Sequence, residues 1–504
     1  MKAFTEPLLS LAGFEEMTKT AEKSSGLISV TGCIDAQKSQ MIYAFGGHRK
    51  NKLIVTFGEQ KAKELYDEYS FFDKEVVYYP SKDVLFYQSD IRGNLLTAER
   101  IRALKAIHEQ ESVTLVTTFD ALMNTMAPIE KMWENVLTLE QGQLLDLKEI
   151  QAALIRMGYE KEYQVQTMGQ FSVRGGILDV FPLTEENPIR IELWGDEIDT
   201  IRYFDCESQK SIENVDRVSI YPAAELVLSD EEKAGGIDKL KAEAKRVSDK
   251  LRKQMKTEEA HRVTVMADEL IEEWGELSMY AGMDAFLSYF FDERVGLLDY
   301  FNPSDSLIFF DELTRCTEQG KLTETEFSES MKQRLAMGYI LPGQMNGLFT
   351  EKEIVAKLEK YSCIALAALD NKANGLHQLG SYGIHCQSVS PYNNSFELLI
   401  KDLKRYKKNG YRVILLSGSR TRAKRLSEDI TDQGITCFYT ENYDHELFEG
   451  QIMVCYGKVR RGFEYPILKF AVITESDIFG AQQKKKKRHR TYEGEKIQSF
   501  TDLS

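Results

Sequence analysis

Short apolar runs alternate with stretches of helical periodicity through the first 130 or so residues, and this alternation narrows the choice of fold more than any other feature. Residues 26–32, 52–57, 75–79 and 112–118 read as buried strands, with helices at 35–45, 59–69 and 96–110 between them. Strands joined through helices predict βαβ units around a parallel sheet. Between 139 and 222 the period changes. There, 171–181, 189–194 and 198–204 are short strands set off by Gly, Pro and Asp turn residues, which predicts a small, mostly antiparallel sheet inserted into the α/β chain. A charged helical stretch covers 230–276, and the α/β alternation returns at 307–310 and 363–368. From about 390 a last α/β unit begins. Ser395 caps a helix with Phe396, Leu399, Ile400, Leu403 and Tyr406 at helical spacing, Gly410 closes it, and strands follow at 411–416, 452–456 and 467–474.

The chain has 504 residues, 42% hydrophobic and 28% charged, which fits several globular domains and excludes a largely disordered polymer. No run approaches the ~18 apolar residues of a membrane span, and the first residues lack the basic region and apolar run of a signal peptide, so a cytoplasmic protein with no membrane partner is expected. Seven scattered cysteines, never spaced C-x-x-C, predict neither disulfides nor a metal site. A net charge of −15 argues against a surface that grips nucleic acid everywhere, but leaves room for a local basic patch.

The segment 30–39 lies between a strand and a helix, where a phosphate-binding loop belongs. Gly32, Lys38 and Ser39 are in register with G-x-x-x-x-G-K-[ST], but Gln37 replaces the second glycine, whose freedom lets backbone N–H groups turn towards phosphates. The apolar run 307–312 ends in Asp311 and Glu312, the shape of an acidic box that orients Mg²⁺ in such ATPases. Together they predict a RecA-like α/β lobe with a degenerate nucleotide site (Gly32, Lys38, Ser39, Asp311, Glu312), no catalytic residues and no bound cofactor. The alternative is residual ATP binding or hydrolysis through Lys38, Ser39 and Asp311.

In 189–194 a period of two sends Ile189, Ile191 and Leu193 to one face and Arg190, Glu192 and Trp194 to the other. If the apolar set packs on the small domain's core, Trp194 stands near solvent beside an arginine, and these residue types anchor protein–protein contacts. Arg174, next to Gly175-Gly176 on the preceding strand, can join that face. The structural alternative covers Trp194 with a neighbouring strand and pairs Arg190 with Glu192.

The runs 169–182, 188–205 and 208–211, with 79–87 and 474–480 around them, resemble the N-terminal part of the bacterial transcription-repair coupling factors. The middle runs look like the module those proteins share with the excision-repair helicase UvrB. The resemblance implies a parent that is an ATP- and Mg²⁺-dependent DNA translocase, acts on stalled RNA polymerase and recruits UvrA. It places the UvrA contact on Arg174, Arg190 and Trp194 with Glu192 alongside, Trp194 standing for a smaller aromatic. UvrB's long DNA-gripping hairpin has no counterpart, because 78–90 is too short for it. On this reading the chain divides into 1–138 and 223–370 (the UvrB-like lobe), 139–222 (the UvrA-binding insertion), 371–480 (a further α/β domain) and 481–504 (a basic linker towards a polymerase-interacting domain), and it lacks the motor. Whether a later domain masks the UvrA face stays open. Replacing either arginine is expected to weaken UvrA binding by on the order of 2 kcal/mol without unfolding the domain.

Two basic features remain. The run 457–466 contains Arg460-Arg461-Gly462-Phe463, an echo of a helicase arginine motif, read here as structural. Lys484, Lys485, Lys486, Lys487, Arg488 and Arg490 form a dense cationic run that is either a solvated linker or, with Arg420, Arg422 and Arg425, a DNA contact.

Overall fold

A computed structural model describes residues 1–46, 49–82, 93–276, 283–369 and 375–480. The described chain divides into two compact units, Met1–Cys386 with Tyr443–Glu446, and 387–442 with 447–480. Strands β1 (Gly26–Thr31), β2 (Asn51–Thr56), β3 (Val77–Tyr79) and β4 (Thr114–Thr118) arise from the apolar runs of the first 130 residues, and the helices Asp35–Phe45, Glu59–Tyr69 and Gly93–Glu109 connect them. They are almost wholly buried, which explains why they read as continuous apolar runs instead of alternating ones.

The insertion follows. It comprises β5 (Leu137–Glu140), β6 (Glu160–Lys161), β7 (Gln170–Arg174), β8 (Ile177–Val180), β9 (Ile189–Trp194), β10 (Glu197–Phe204), β11 (Ser211–Val215) and β12 (Arg217–Ile220). Among the described residues six of these form one sheet in the order β11-β10-β9-β8-β7-β6, antiparallel except for the β6–β7 pair. The single strand expected at 171–181 is a hairpin, β7 and β8, turning at Gly175-Gly176. Strands β5 and β12 pair with each other, so the chain enters and leaves the insertion through one two-stranded ribbon. Its inner face packs Phe171, Leu178, Val180, Ile189, Ile191, Ile198 and Ile201 on Leu154 and Met157 from the helix region 147–157.

The helices Asp230–Lys253 and Thr257–Glu276 then pack on each other around Leu240, Val263 and the fully buried Trp274, the first opened by a reciprocal Ser229–Glu232 cap. Strands β13 (Ser306–Asp311), β14 (Ser362–Leu366) and β15 (Gln378–Gly383) complete the first sheet, all parallel, in the order β15-β1-β14-β13-β2-β4-β3.

The second unit is built on β16 (Gln387–Ser388), β17 (Arg412–Ser417), β18 (Phe438–Tyr439), β19 (Ile452–Tyr456), β20 (Phe463–Tyr465) and β21 (Phe470–Thr474). Their order is β16-β20-β21-β17-β19-β18, with β18, β19, β17 and β21 mutually parallel. Ser395 caps the helix Phe396–Lys408 through the Leu398 N–H, as its sequence position predicts. The strand expected from 467 starts only at Phe470. The chain turns at Pro466–Lys469, with Lys469 in the left-handed region, and this spends the preceding residues. Within the described residues no helix is long and apolar enough to cross a membrane.

Candidate protein-interaction site

Strand β9 does what its period of two demands. Ile189 and Ile191 are buried in the insertion's core, Leu193 packs at its edge, and Arg190, Glu192 and Trp194 emerge on the opposite face. Trp194 ends the strand at the tight connection to β10 and is 85% exposed, so no neighbouring strand covers it. It forms one wall of a groove of about 720 Å³ whose other lining includes Glu140, Glu197, Asp199, Asp216 and Arg217.

Arg190 is not paired with Glu192. Register places it opposite Asp179 on β8 and Arg202 on β10. Its Nε and Nη2 donate to the two Asp179 carboxylate oxygens at 2.7 and 2.9 Å, Nη2 also donates to Gln209 Oε1 at 2.8 Å, and the guanidinium lies 4.2 Å from the Phe204 ring centre. These bonds to Asp179 hold Arg190 above its ordinary pKa. Arg174 donates to the same Asp179 at 2.8 Å from a half-buried position. Glu192 is claimed by Arg202, which lowers its carboxyl below the usual range, and accepts from Thr200 at 3.2 Å. The face is therefore a lattice of cross-strand ion pairs with Trp194 at its end. Arg190 cannot be removed freely, because its loss would leave Asp179, 1% exposed, with Arg174 alone.

Sequence reasoning missed Asp179, the hub of this lattice. The signal was there: an acidic residue at an outward position of a strand whose hairpin geometry sets it opposite an arginine.

The first turn of the helix after β1 brings Lys38 together with Asp311 and Glu312, as the motif positions require, in a buried ion-pair cluster. Lys38 is 1% exposed, and its Nζ donates to Asp311 at 2.5 Å, Glu312 at 2.9 Å and Asp35 at 3.1 Å. Burial works most strongly against its charge, yet Asp311 and Glu312 outweigh it and hold the ammonium above its ordinary range. For Asp35, too, burial is the largest effect and is outweighed, here by Lys61 and Lys38, so its carboxyl falls to about 2. Asp311 also accepts from Thr56 at 3.1 Å, and Glu312, in the left-handed region at φ 61°, accepts from the Ala368 N–H at 3.0 Å.

These residues do not fit a nucleotide's phosphates. The Gly32 and Cys33 N–H groups donate to the carbonyls of Ala368 and Ala367, and the Gln37 N–H turns to Ile34. A Cβ on Gly32, which sits at φ 78°, would lie 2.0 Å from the Ile384 carbonyl oxygen, so protein backbone fills the space beside the loop. Gln37 is fully buried beside the Cys33 thiol, and the buried Ser39 Oγ finds no hydrogen-bond partner among the described residues.

Residues 484–490, and the part of 78–90 from 83 onwards, lie outside the described residues. Arg420, Arg422 and Arg425 are exposed along the helix Arg420–Asp432 of the second unit. Arg460 and Arg461 are exposed on the loop between β19 and β20.

Residues 137–226 match the family model described as the UvrB interaction domain. Nearly the whole chain aligns with proteins named transcription-repair-coupling factor. It is 28% identical to the one from Bacillus subtilis (strain 168) over 89% of this chain and 38% of that protein. Identity is 27% with the Staphylococcus haemolyticus (strain JCSC1435) protein over 95% and 40% of the two chains, and 26% with that of Staphylococcus aureus (strain MRSA252) over 97% and 41%. The chain spans about two fifths of the length of these relatives. It is thus similar, along nearly all of its length, to the transcription-repair-coupling factors, and within it residues 137–226 match the model of the UvrB interaction domain.

Proposed function

We propose that this chain is a recruitment module that binds UvrA through the outward face of its inserted sheet, and that it is not itself an enzyme. Trp194 and Arg174 make the direct contacts, while Arg190 and Glu192 act mainly by holding the face in shape through Asp179 and Arg202. The single observation that carries this reading is Trp194, a large indole 85% exposed at the end of an ion-paired lattice, in the domain whose family model is named for interaction. An aromatic in water beside a planar guanidinium is the composition of an interface anchor. The parallel sheet of the first unit serves as a RecA-like scaffold whose nucleotide chemistry has decayed. Residual nucleotide binding, the alternative, draws no support from Lys38, whose donors are already spent on three carboxylates. ATP, Mg²⁺, RNA polymerase and DNA enter through the longer proteins this chain resembles, in the cytoplasm.

The test is titration of purified UvrA into the 504-residue chain and into Trp194→Ala and Arg174→Ala. Each substitution is expected to weaken binding by about 2 kcal/mol, roughly 30-fold. The melting temperature should be unchanged for Trp194→Ala, whose indole is in solvent, and slightly lowered for Arg174→Ala, since the buried Asp179 then keeps only its bonds from Arg190. Wild-type binding that neither variant weakens would place the partner elsewhere. No binding by the wild type, with UvrA active, would leave the resemblance as one of fold alone.

A further inference from the structure

The second unit's sheet gathers positive charge at one end. Strands β17 and β19 are parallel neighbours with Ser417 opposite Tyr456, so the segments that leave them, 418–422 and 457–461, emerge side by side. The Gly457 N–H donates to the Ser417 carbonyl at 3.0 Å and ties the two together. The first segment supplies Arg420 and Arg422, and the second Lys458, Arg460 and Arg461, all exposed. Arg420 pairs with Glu441 and Arg422 with Glu475, while Lys458 and Arg461 form no ion pair among the described residues.

The second segment is held firmly. Asp477, 6% exposed, accepts from the Gly462 N–H at 2.7 Å, from the Thr474 N–H at 2.8 Å and from the Thr474 hydroxyl at 2.6 Å. Gly462 allows this close approach, since a Cβ there would meet the Val472 carbonyl oxygen at 2.4 Å. Asp477 thereby fixes the backbone next to Arg461. The location is also the carboxyl end of the parallel strands, where the chain passes to β19 on one side of β17 and to β21 on the other, and open α/β sheets place ligands outside such a switch point.

We propose that this rim binds the phosphodiester backbone of nucleic acid. Five cations against three carboxylates (Glu441, Glu475 and the buried Asp477) on a pinned loop pair leave a positive excess that complements a polyanion whose charge repeats every few ångströms. Such contacts carry no sequence preference and position a strand instead of reading it. The inference is independent of the UvrA reading, which concerns the other unit.

The test is fluorescence anisotropy of a labelled 30-base-pair duplex, and of a 30-nucleotide single strand, with the 504-residue chain across a potassium chloride series. Lys458→Ala/Arg461→Ala is expected to weaken binding about tenfold near 0.1 M salt and to flatten the log–log salt slope by about 2, with the melting temperature unchanged. A larger loss on one of the two probes tells which form of nucleic acid is held. Absence of binding by the wild type at about 50 mM salt overturns the proposal. So does unchanged binding by the double variant, including the case where Lys485→Ala/Lys487→Ala removes it instead. Binding of polyglutamate as tight as that of the duplex would assign the rim to an acidic protein and overturn it equally.

Discussion

Lys38 stands at the motif position of a phosphate-binding lysine, and its ammonium is taken up by carboxylates of the protein itself. A buried ammonium with three carboxylates around it is electrostatically complete, and its removal would leave Asp311 and Glu312 facing each other with Asp311 at 1% exposure. Breaking such a buried pair by deleting one partner costs about 3–5 kcal/mol. Lys38→Met should therefore lower the unfolding free energy by that amount in a urea titration. A loss under 1 kcal/mol would mean the cluster is wetter than its geometry implies. Millimolar Mg-ATP should leave the wild-type melting temperature where it is, and a clear rise would restore the nucleotide reading. On the outer face Arg190 is likewise taken up inside its own domain, by Asp179, Gln209 and Phe204.

Among the elements, those buried on both sides were legible and those defined by distant pairing were not. β1, β2, β4 and β17 announce themselves as apolar runs, and the β9 face follows from its alternation alone. β15 does not: Gln378–Gly383 is an edge strand with two glycines and little burial, and only its parallel pairing with β1 makes it a strand. Asp179 escaped for the same reason, because its meaning lies in a cross-strand register. So did the junction where the insertion leaves its ribbon. There Glu225 meets Arg100, fully buried, through bonds of 2.7 and 3.0 Å, and Lys82 at 3.0 Å, while Arg100 also donates to the Pro80 carbonyl at 2.6 Å. Burial opposes the Glu225 charge most strongly, but Arg100 and Lys82 outweigh it and pull the carboxyl to about 2, from an ordinary 4.5. A carboxyl depressed in the folded state stabilises fully above its unfolded pKa and loses that contribution as pH falls towards the folded one. The stabilisation, on the order of 3 kcal/mol, should thus be intact above about pH 4.5 and drain away towards about pH 2. Glu225→Gln should be less stable at neutral pH and show a shallower acid limb. Identical acid limbs for the two proteins would exclude Glu225 as the titrating group.

At the scale of the molecule, the insertion is organised as a module within the first unit. Its core is drawn from residues between 137 and 223 alone, and its two ends run side by side, Leu137 opposite Ile220 and Glu140 opposite Arg217. Adjacent termini and a private core are what an excisable domain needs. Against this stand Leu183 and Tyr221, both 1% exposed and packed into the core of the surrounding α/β body, each worth about 2 kcal/mol of burial that an isolated insertion forfeits. Residues 137–226 expressed alone should therefore fold cooperatively but melt well below the parent chain. The face itself lies on the β7–β10 sheet, which the excision leaves whole, so the isolated domain should bind UvrA within about threefold of the full chain at a temperature where it is folded. An isolated domain with a cooperative melt and no affinity for UvrA would show that the α/β body contributes to the contact, and the recruitment surface would then have to be sought beyond Trp194 and Arg174.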